Sequence, residues 1–310
     1  MSRIFDALQR SGTEQSGVEY PDMVSVATAV FEAAQVQEPA KIQVEQPAPE
    51  PVDEIPLPAL DSIPETQPKS AEASSLASFP SLEVNVPPSS RLVFLTHPES
   101  LPAEKFRFLG VRLRQFRHNR PLKKVLITST IPEEGKSMVS ANLAGTLARR
   151  KERVLLIEGD MRRPVLAEDL GVGRLAGLSE WLQSGSDAAS NIYYLQGPNF
   201  WIMPAGEPPA HPLELMQSGK LSGLITQLTT LFDWIVIDSP PLLPLADSTV
   251  WSRLTDGMLL VTRQGKTQKG PLQRGLEMIK KSDLLGVVLN GCTDEDHDNY
   301  YRRYAPPTKS

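Results

Sequence analysis

Short apolar runs alternate with amphipathic stretches from about Arg91 to Asn290. Residues 125–128, 154–157, 235–237, 257–262 and 285–290 are apolar, partly β-branched and only a few residues long. Such runs predict strands buried on both faces of a parallel sheet. Between them, 103–114 predicts a helix with Phe106, Leu109 and Leu113 on one face. A second helix opens at Ser137 and runs to Arg149 and Arg150, whose charge suits a helix carboxyl end. Further helices are expected at 178–182, 213–216, 221–230 and 272–281, with short strands at 191–195 and 201–203. Strands alternating with helices give an α/β fold, a mainly parallel sheet covered by helices on both sides.

The first ninety residues break this pattern. Eleven of the 28 prolines lie between Pro39 and Pro88, with nine acidic residues from Glu38 to Glu83 against Lys41 and Lys69. That composition buries too little surface to offset the entropy of ordering. Residues 1–90 therefore read as a disordered, acidic, Pro-rich arm, in which Ile4, Phe5 and Leu8 could form a short helix. Residues 91–293 read as the folded domain, and 294–310 as a flexible tail. The net charge of −5 gives no support for nucleic acid as the main partner. The single cysteine, Cys292, excludes a disulfide framework within the chain and fits a reducing cytoplasm; it reads as a small buried residue after a strand. No run approaches the ~20 apolar residues that span a bilayer, so a membrane role is expected to come through a partner.

Three strand ends carry chemistry. After the first strand come Thr130, Ile131, Pro132, Glu133, Glu134, Gly135, Lys136, Ser137 and Met138. A loop from a strand into a helix amino terminus offers unpaired backbone N–H groups and a favourable dipole to a polyphosphate. Lys136 supplies a point charge to the terminal phosphates, and the Ser137 hydroxyl is placed to ligate magnesium. The loop departs from GxxxxGK[ST], because Thr130 stands where the first glycine is expected. Glu158 and Asp160 end a second strand and Asp238 a third, where an open α/β sheet builds its ligand crevice. A carboxylate at a buried strand end is costly unless it meets a metal or a donor. The expected ligands are a nucleoside triphosphate and Mg2+. Four scattered histidines and one cysteine give no transition-metal site.

These strings, with Asp238-Ser239-Pro240-Pro241, Gly177-Leu178-Ser179-Glu180, Gly286-Val287-Val288-Leu289-Asn290 and a tyrosine-bearing carboxyl terminus, resemble the bacterial tyrosine kinases of capsule and exopolysaccharide synthesis. The resemblance covers roughly residues 91–304. It implies a P-loop NTPase fold of the deviant-Walker type related to MinD and ParA. It also implies tyrosine autophosphorylation, a homo-oligomer, and a cytoplasmic protein partnered with a membrane polysaccharide chain-length regulator. On this resemblance residues 132–138 would hold the nucleotide, and Ser137, Asp160 and Asp238 the magnesium. Lys136, Glu158, Asp160 and Asp238 would be catalytic, one of Glu158 and Asp160 serving as candidate base toward the tyrosine hydroxyl. Tyr300, Tyr301 and Tyr304, three of the six tyrosines, would be the phosphoacceptors.

Four positions depart from the family pattern. Glu158 stands for a usual Asp, Glu133 for a usual glycine, and His211, expected to be structural, for a usual Asn. The subunit-contact spacing Glu-x-x-Arg-x-x-Arg is met by Glu104 and Arg107 but then gives Gly110, with Arg112 or Arg114 as possible substitutes. Arg162 and Arg163 could stabilise charge, tether an acidic tail, or form a solvated turn. Two other readings stand beside the kinase: an ATP-binding regulatory partner without kinase chemistry, and a MinD/ParA-like positioning ATPase, which the loop sequence and the tyrosine tail oppose.

Overall fold

The computed structural model describes residues 76, 79–86, 90–185, 187–243 and 246–292. The chain runs β1 (Ser81–Glu83), α1 (Val93–Thr96), α2 (Leu101–Asn119), β2 (Lys124–Ser129), α3 (Lys136–Ala148), β3 (Val154–Glu158), α4 (Leu166–Asp169) and α5 (Leu178–Ser184). It continues through a 3-10 turn (Ala188–Asn191), β4 (Tyr193–Gln196), β5 (Phe200–Met203), α6 (Pro212–Met216), α7 (Lys220–Leu231) and β6 (Trp234–Asp238). The final elements are α8 (Asp247–Ser252), β7 (Gly257–Arg263), α9 (Lys269–Glu277) and β8 (Leu284–Asn290).

The eight strands form one sheet in the order β1-β4-β5-β3-β6-β2-β7-β8. Its pairs are parallel except β4 with β5. The central strands are buried on both faces, which is why they read as continuous apolar runs rather than alternating ones. Leu126, Leu155, Ile157, Ile235 and Ile237 enter one core with Leu182, Leu224, Leu228 and Trp251 from the covering helices. Val125, Ile127, Val154, Leu156 and Val236 enter the other with Leu113, Leu143 and Leu147. Each fully buried Leu or Ile contributes roughly 1.5–3 kcal/mol, so strands β2, β3 and β6, which carry the candidate chemistry, form a rigid floor.

Helix α3 is enclosed on nearly every side, and its small residues make that possible. A Cβ on Gly145 would meet the Phe94 ring at 2.1 Å, so α1 lies directly on it. Asn142 fixes the contact, its Oδ1 accepting from Phe94 N at 3.3 Å and its Nδ2 donating to Arg91 O at 3.0 Å. Gly110 is likewise buried where α2 crosses α3, with Leu147 and Thr146 as neighbours. Of the candidate substitutes for the missing arginine, Arg114 is committed to an ion pair with Glu152, whereas Arg112 stays outward, over the Phe108 ring.

Three expectations need correction. The folded unit does not begin at Arg91: β1 pairs with β4, and Phe79 is buried, stacked on Phe232 at 6.2 Å. Ser-Leu-Glu has no periodicity to read, and its strand geometry comes from the neighbouring strand. Cys292 is exposed, not buried, because the chain leaves the sheet edge at Gly291, which has a φ of 72°. His211 is solvent-exposed at the start of α6, its Nδ1 4.0 Å from Glu214, and so packs no core. Residues 1–75 and 293–310 lie outside the described residues, including the expected arm, the tail and Tyr300, Tyr301 and Tyr304. Among the described residues no helix is long and apolar enough to cross a membrane.

Candidate nucleotide site

The loop from β2 to α3 ends at Gly135, which caps the helix with a φ of 93°. That left-handed value favours glycine, and space demands it too: a Cβ there would lie 2.2 Å from Asn290 Nδ2. Asn290, at the end of β8, donates to Glu134 O at 2.9 Å and so ties the loop to the sheet edge. Thr130 has no left-handed backbone, which explains why a side chain is tolerated where the motif asks for glycine. Glu133 does take a positive φ, 65°, as the usual glycine would. Its carboxylate turns outward into an ion pair with Lys266, which holds its pKa below the ordinary value. The anion therefore does not intrude on the phosphate hollow.

Glu134 behaves differently. It is fully buried, and its carboxylate accepts from Ile131 N at 2.9 Å and from the Thr267 hydroxyl. Its side chain shapes the loop, leaving only its backbone to line the hollow. Pro132 and Glu133 sit at the exposed rim.

Lys136 begins α3 and reaches across to the acidic strand ends. Its Nζ lies 3.0 Å from Asp160 Oδ2 and 3.4 Å from Ser137 Oγ. Burial pulls the ammonium pKa down, but Asp238, Asp160 and Glu158 outweigh it and the net shift is upward. Asp160 is 4 % exposed and accepts from Arg163 N at 3.2 Å, which fixes its rotamer.

Asp238 ends β6 at 1 % exposure. Ser140 Oγ lies 3.3 Å from its Oδ1, and Ser137 also hydrogen-bonds the carboxylate. Its Oδ2 is buried without a partner. Burial pushes its pKa up, partly opposed by Lys136. A buried carboxylate oxygen with no donor, beside a serine hydroxyl at a helix amino terminus, fits a magnesium ion that also takes phosphate oxygens and water. Asp160 and Asp238 around the Lys136 ammonium leave a net formal negative charge, which a divalent cation would offset.

Glu158 does not join this group as expected. Its Oε1 accepts from Val165 N and Leu166 N, each at 2.6 Å, and its Oε2 from Ala205 N at 3.0 Å. Burial raises its pKa against those three donors. With both oxygens occupied by backbone, Glu158 anchors the start of α4 and the segment after β5. Arg162 forms a two-point ion pair with buried Asp247, at 2.7 and 3.2 Å, so it is neither a free cation nor a solvated turn; Arg163 remains exposed. Sequence reasoning assigned no role to Asn290, Thr267, Lys266, Asp247 or Trp251. Asn290 closes a family-like string and was the one with a signal. The others announce themselves only through contacts distant in sequence.

The CobQ/CobB/MinD/ParA nucleotide binding domain matches residues 125–305. Tyrosine-protein kinase YwqD of Bacillus subtilis (strain 168) is 31% identical over 211 residues, 67% of this chain and 89% of that protein. Tyrosine-protein kinase CpsD of Streptococcus agalactiae is 30% identical over 189 residues, 58% and 82% of the two chains. Among solved structures, the kinase domain of Escherichia coli tyrosine kinase ETK superposes with a TM-score of 0.62 at 26% identity, covering 64% of this chain and 79% of that one. The chimerical protein CapA2B2 gives 0.61 at 27% identity, covering 71% and 97%. A P-loop on this fold, with both acidic strand ends in place and relatives matched over most of their length, leaves one assignment: the chain belongs to the bacterial tyrosine-protein kinase family, built on the MinD/ParA type of nucleotide-binding fold.

Proposed function

We propose that this protein is an ATP-dependent protein-tyrosine autokinase of capsule or exopolysaccharide synthesis, transferring the γ-phosphoryl of ATP to Tyr300, Tyr301 and Tyr304. The observation that carries the reading is the placement of Lys136 between Asp160 and Asp238 at the amino terminus of α3. Residues 132–138 would cradle the polyphosphate through backbone N–H groups, and Lys136 would neutralise its outer oxygens. Ser137 and Asp238 would hold Mg2+, which supplies charge neutralisation when bound. Asp160 is the better-placed candidate base, because the backbone already claims both oxygens of Glu158. Phosphates on the tail would add about −1.5 to −2 charges each beside Asp294, Glu295, Asp296 and Asp298, favouring tail release and subunit separation. The reading includes a homo-oligomer, a membrane chain-length regulator as partner, and a cytoplasmic location at the inner membrane face.

The test is phosphotyrosine on the purified full chain after incubation with ATP and Mg2+. Lys136→Met removes the charge but keeps an aliphatic stem, and should abolish nucleotide binding and phosphotyrosine together. Replacing Tyr300, Tyr301 and Tyr304 with Phe should remove most phosphotyrosine and leave nucleotide binding intact. Phosphate mapping to Tyr193 or Tyr194 instead would refute the tail as substrate. Glu158's structural engagement favours one second reading, an ATP-binding regulator without kinase chemistry. Retained nucleotide affinity with no phosphotyrosine would select it.

A further inference from the structure

Helix α8 follows the Asp238 strand end after a short connection, and its three buried side chains, Asp247, Ser248 and Trp251, each meet an acidic motif or the segment beside one. Asp247 and Trp251 are four residues apart and share a helix face. Asp247 takes the two-point ion pair from Arg162, two residues beyond Asp160. The Trp251 indole lies against the Glu158-Gly159-Asp160 turn, its Nε1 donating to Gly159 O at 3.3 Å. The approach is so close that a Cβ on Gly159 would fall 2.7 Å from the ring. Ser248 lies between them and donates to Pro240 O at 2.8 Å, with Pro241 O at 3.2 Å. The Thr128 hydroxyl also donates to Pro240 O, at 2.9 Å. A further bond joins the two motifs directly, Gly159 N donating to Asp238 O at 2.7 Å.

We propose that α8 is a brace that sets the spacing of the Asp160 and Asp238 carboxylates about Lys136, with Asp247, Ser248 and Trp251 as positioning residues for phosphoryl transfer. The catalytic part of this inference rests on the kinase reading above. The physical reason lies in where Asp160 stands. It follows the last residue of β3 by two positions, so the strand ladder does not hold it, and its own contacts are Lys136 and Arg163 N. Beside the Gly159 N–Asp238 O bond, the indole beneath Gly159 and the guanidinium anchored at Asp247 hold the 159–163 turn down. Asp247 is 2 % exposed and acidic, a costly placement for a carboxylate unless its partner is held in register. Lys136 begins α3, and the side-chain bonds of Asp247 and Trp251 go to Arg162 and Gly159 rather than to the phosphate loop. Disturbing it should therefore alter the geometry of transfer and spare ground-state nucleotide binding.

The test uses the full-length chain with Asp247→Asn, which keeps shape but weakens the grip on Arg162, and Trp251→Phe, which keeps a packed ring but loses the N–H. Hydrogen exchange over 158–166 should be at least ~10-fold faster in Asp247→Asn, with β2 and β7 unchanged. The turnover number for phosphotyrosine should fall at least ~10-fold while KM for ATP stays within about threefold. Trp251→Phe should move both readouts in the same direction by less. Unchanged exchange in both variants would overturn the brace, and so would turnover within about twofold of the parent. Loss of exchange protection across the whole sheet together with nucleotide affinity would make α8 an ordinary core element and equally refute a positioning role. If the parent forms no phosphotyrosine, the kinase reading fails, and exchange with the two variants alone decides whether α8 holds the turn.

Discussion

Asp238 gives the sharpest prediction, because its charge is the least supported in the site. One oxygen is held by Ser140, while Oδ2 is buried with no donor, and burial raises the pKa despite the nearby Lys136 ammonium. Asp238→Asn removes the charge and keeps the shape, and the amide oxygen still accepts from the serine hydroxyls. Relieving an unsatisfied buried charged oxygen is worth about 1–3 kcal/mol. Part of that is lost because the amide N–H groups are unpartnered and Lys136 gives up one counter-charge. A net gain of about 1 kcal/mol remains, or roughly 2–4 °C in Tm for a domain of this size.

The pH dependence fixes the sign. A carboxyl whose folded pKa is raised contributes stability fully below its unfolded pKa, about 3.9, and loses it as pH rises through the folded value. The parent therefore loses this contribution on the way to neutral pH, and the Asn variant has no such group to titrate. Thermal melts of both chains in EDTA between pH 4 and 8 should show the variant more stable at pH 7.5, with the gap closing on acidification. Adding nucleotide and Mg2+ should reverse the order. Ligand at ~100 times Kd stabilises the parent by about 2.7 kcal/mol, whereas the variant should gain nothing from the metal. A variant that melts at or below the parent in EDTA at pH 7.5, or that keeps the magnesium-dependent gain, would refute the reasoning.

Gly159→Ala should cost about 1–3 kcal/mol in urea unfolding, because the added methyl would press on the Trp251 indole at 2.7 Å; an unchanged midpoint would mean that α8 yields freely. Deleting residues 1–75 should leave the cooperative melt unchanged. Deleting 1–90 removes Phe79 and β1 and should lower stability by about 3–5 kcal/mol, so equal melts for the two truncations would be wrong for this fold. Glu133→Gly should be close to neutral in stability, within about 1 kcal/mol. It relieves a left-handed non-glycine residue at 65° but loses the Lys266 pair and stiffness in the unfolded chain; a large destabilisation would show that the ion pair holds the loop.

The parallel strands were legible because burial on both faces writes itself into sequence as an uninterrupted apolar run. Val125 through Ile127 and Trp234 through Ile237 have zero exposure, and no loop or surface helix needs such composition. The elements that escaped were those whose order comes from a neighbour. Ser81–Glu83 offers a single apolar residue and becomes a strand through β4. Val93–Thr96 is one helical turn resting on Gly145. Asp247–Ser252 is mostly polar, and its one large apolar residue, Trp251, has its partner 92 positions away at Gly159. Periodicity over so few residues carries no information.

The candidate site shows the same division at finer grain. Residue type and strand-end position marked Lys136, Ser137, Glu158, Asp160 and Asp238 as a group, because an ammonium, a hydroxyl and carboxylates at the ends of buried strands have few other reasons to be there. Direction was not written in the sequence. Glu158 and Asp160 lie two residues apart at the end of one strand, and a simple alternation would aim them the same way. Yet β3 ends at Glu158, so alternation no longer governs Asp160. Glu158, one methylene longer than the usual Asp, occupies three backbone N–H groups, while Asp160 turns to Lys136. The division of labour between the two carboxylates is thus set by where the ladder stops and by what lies under Gly159. The contact under Gly159 comes from α8, a helix that shares no motif with the site.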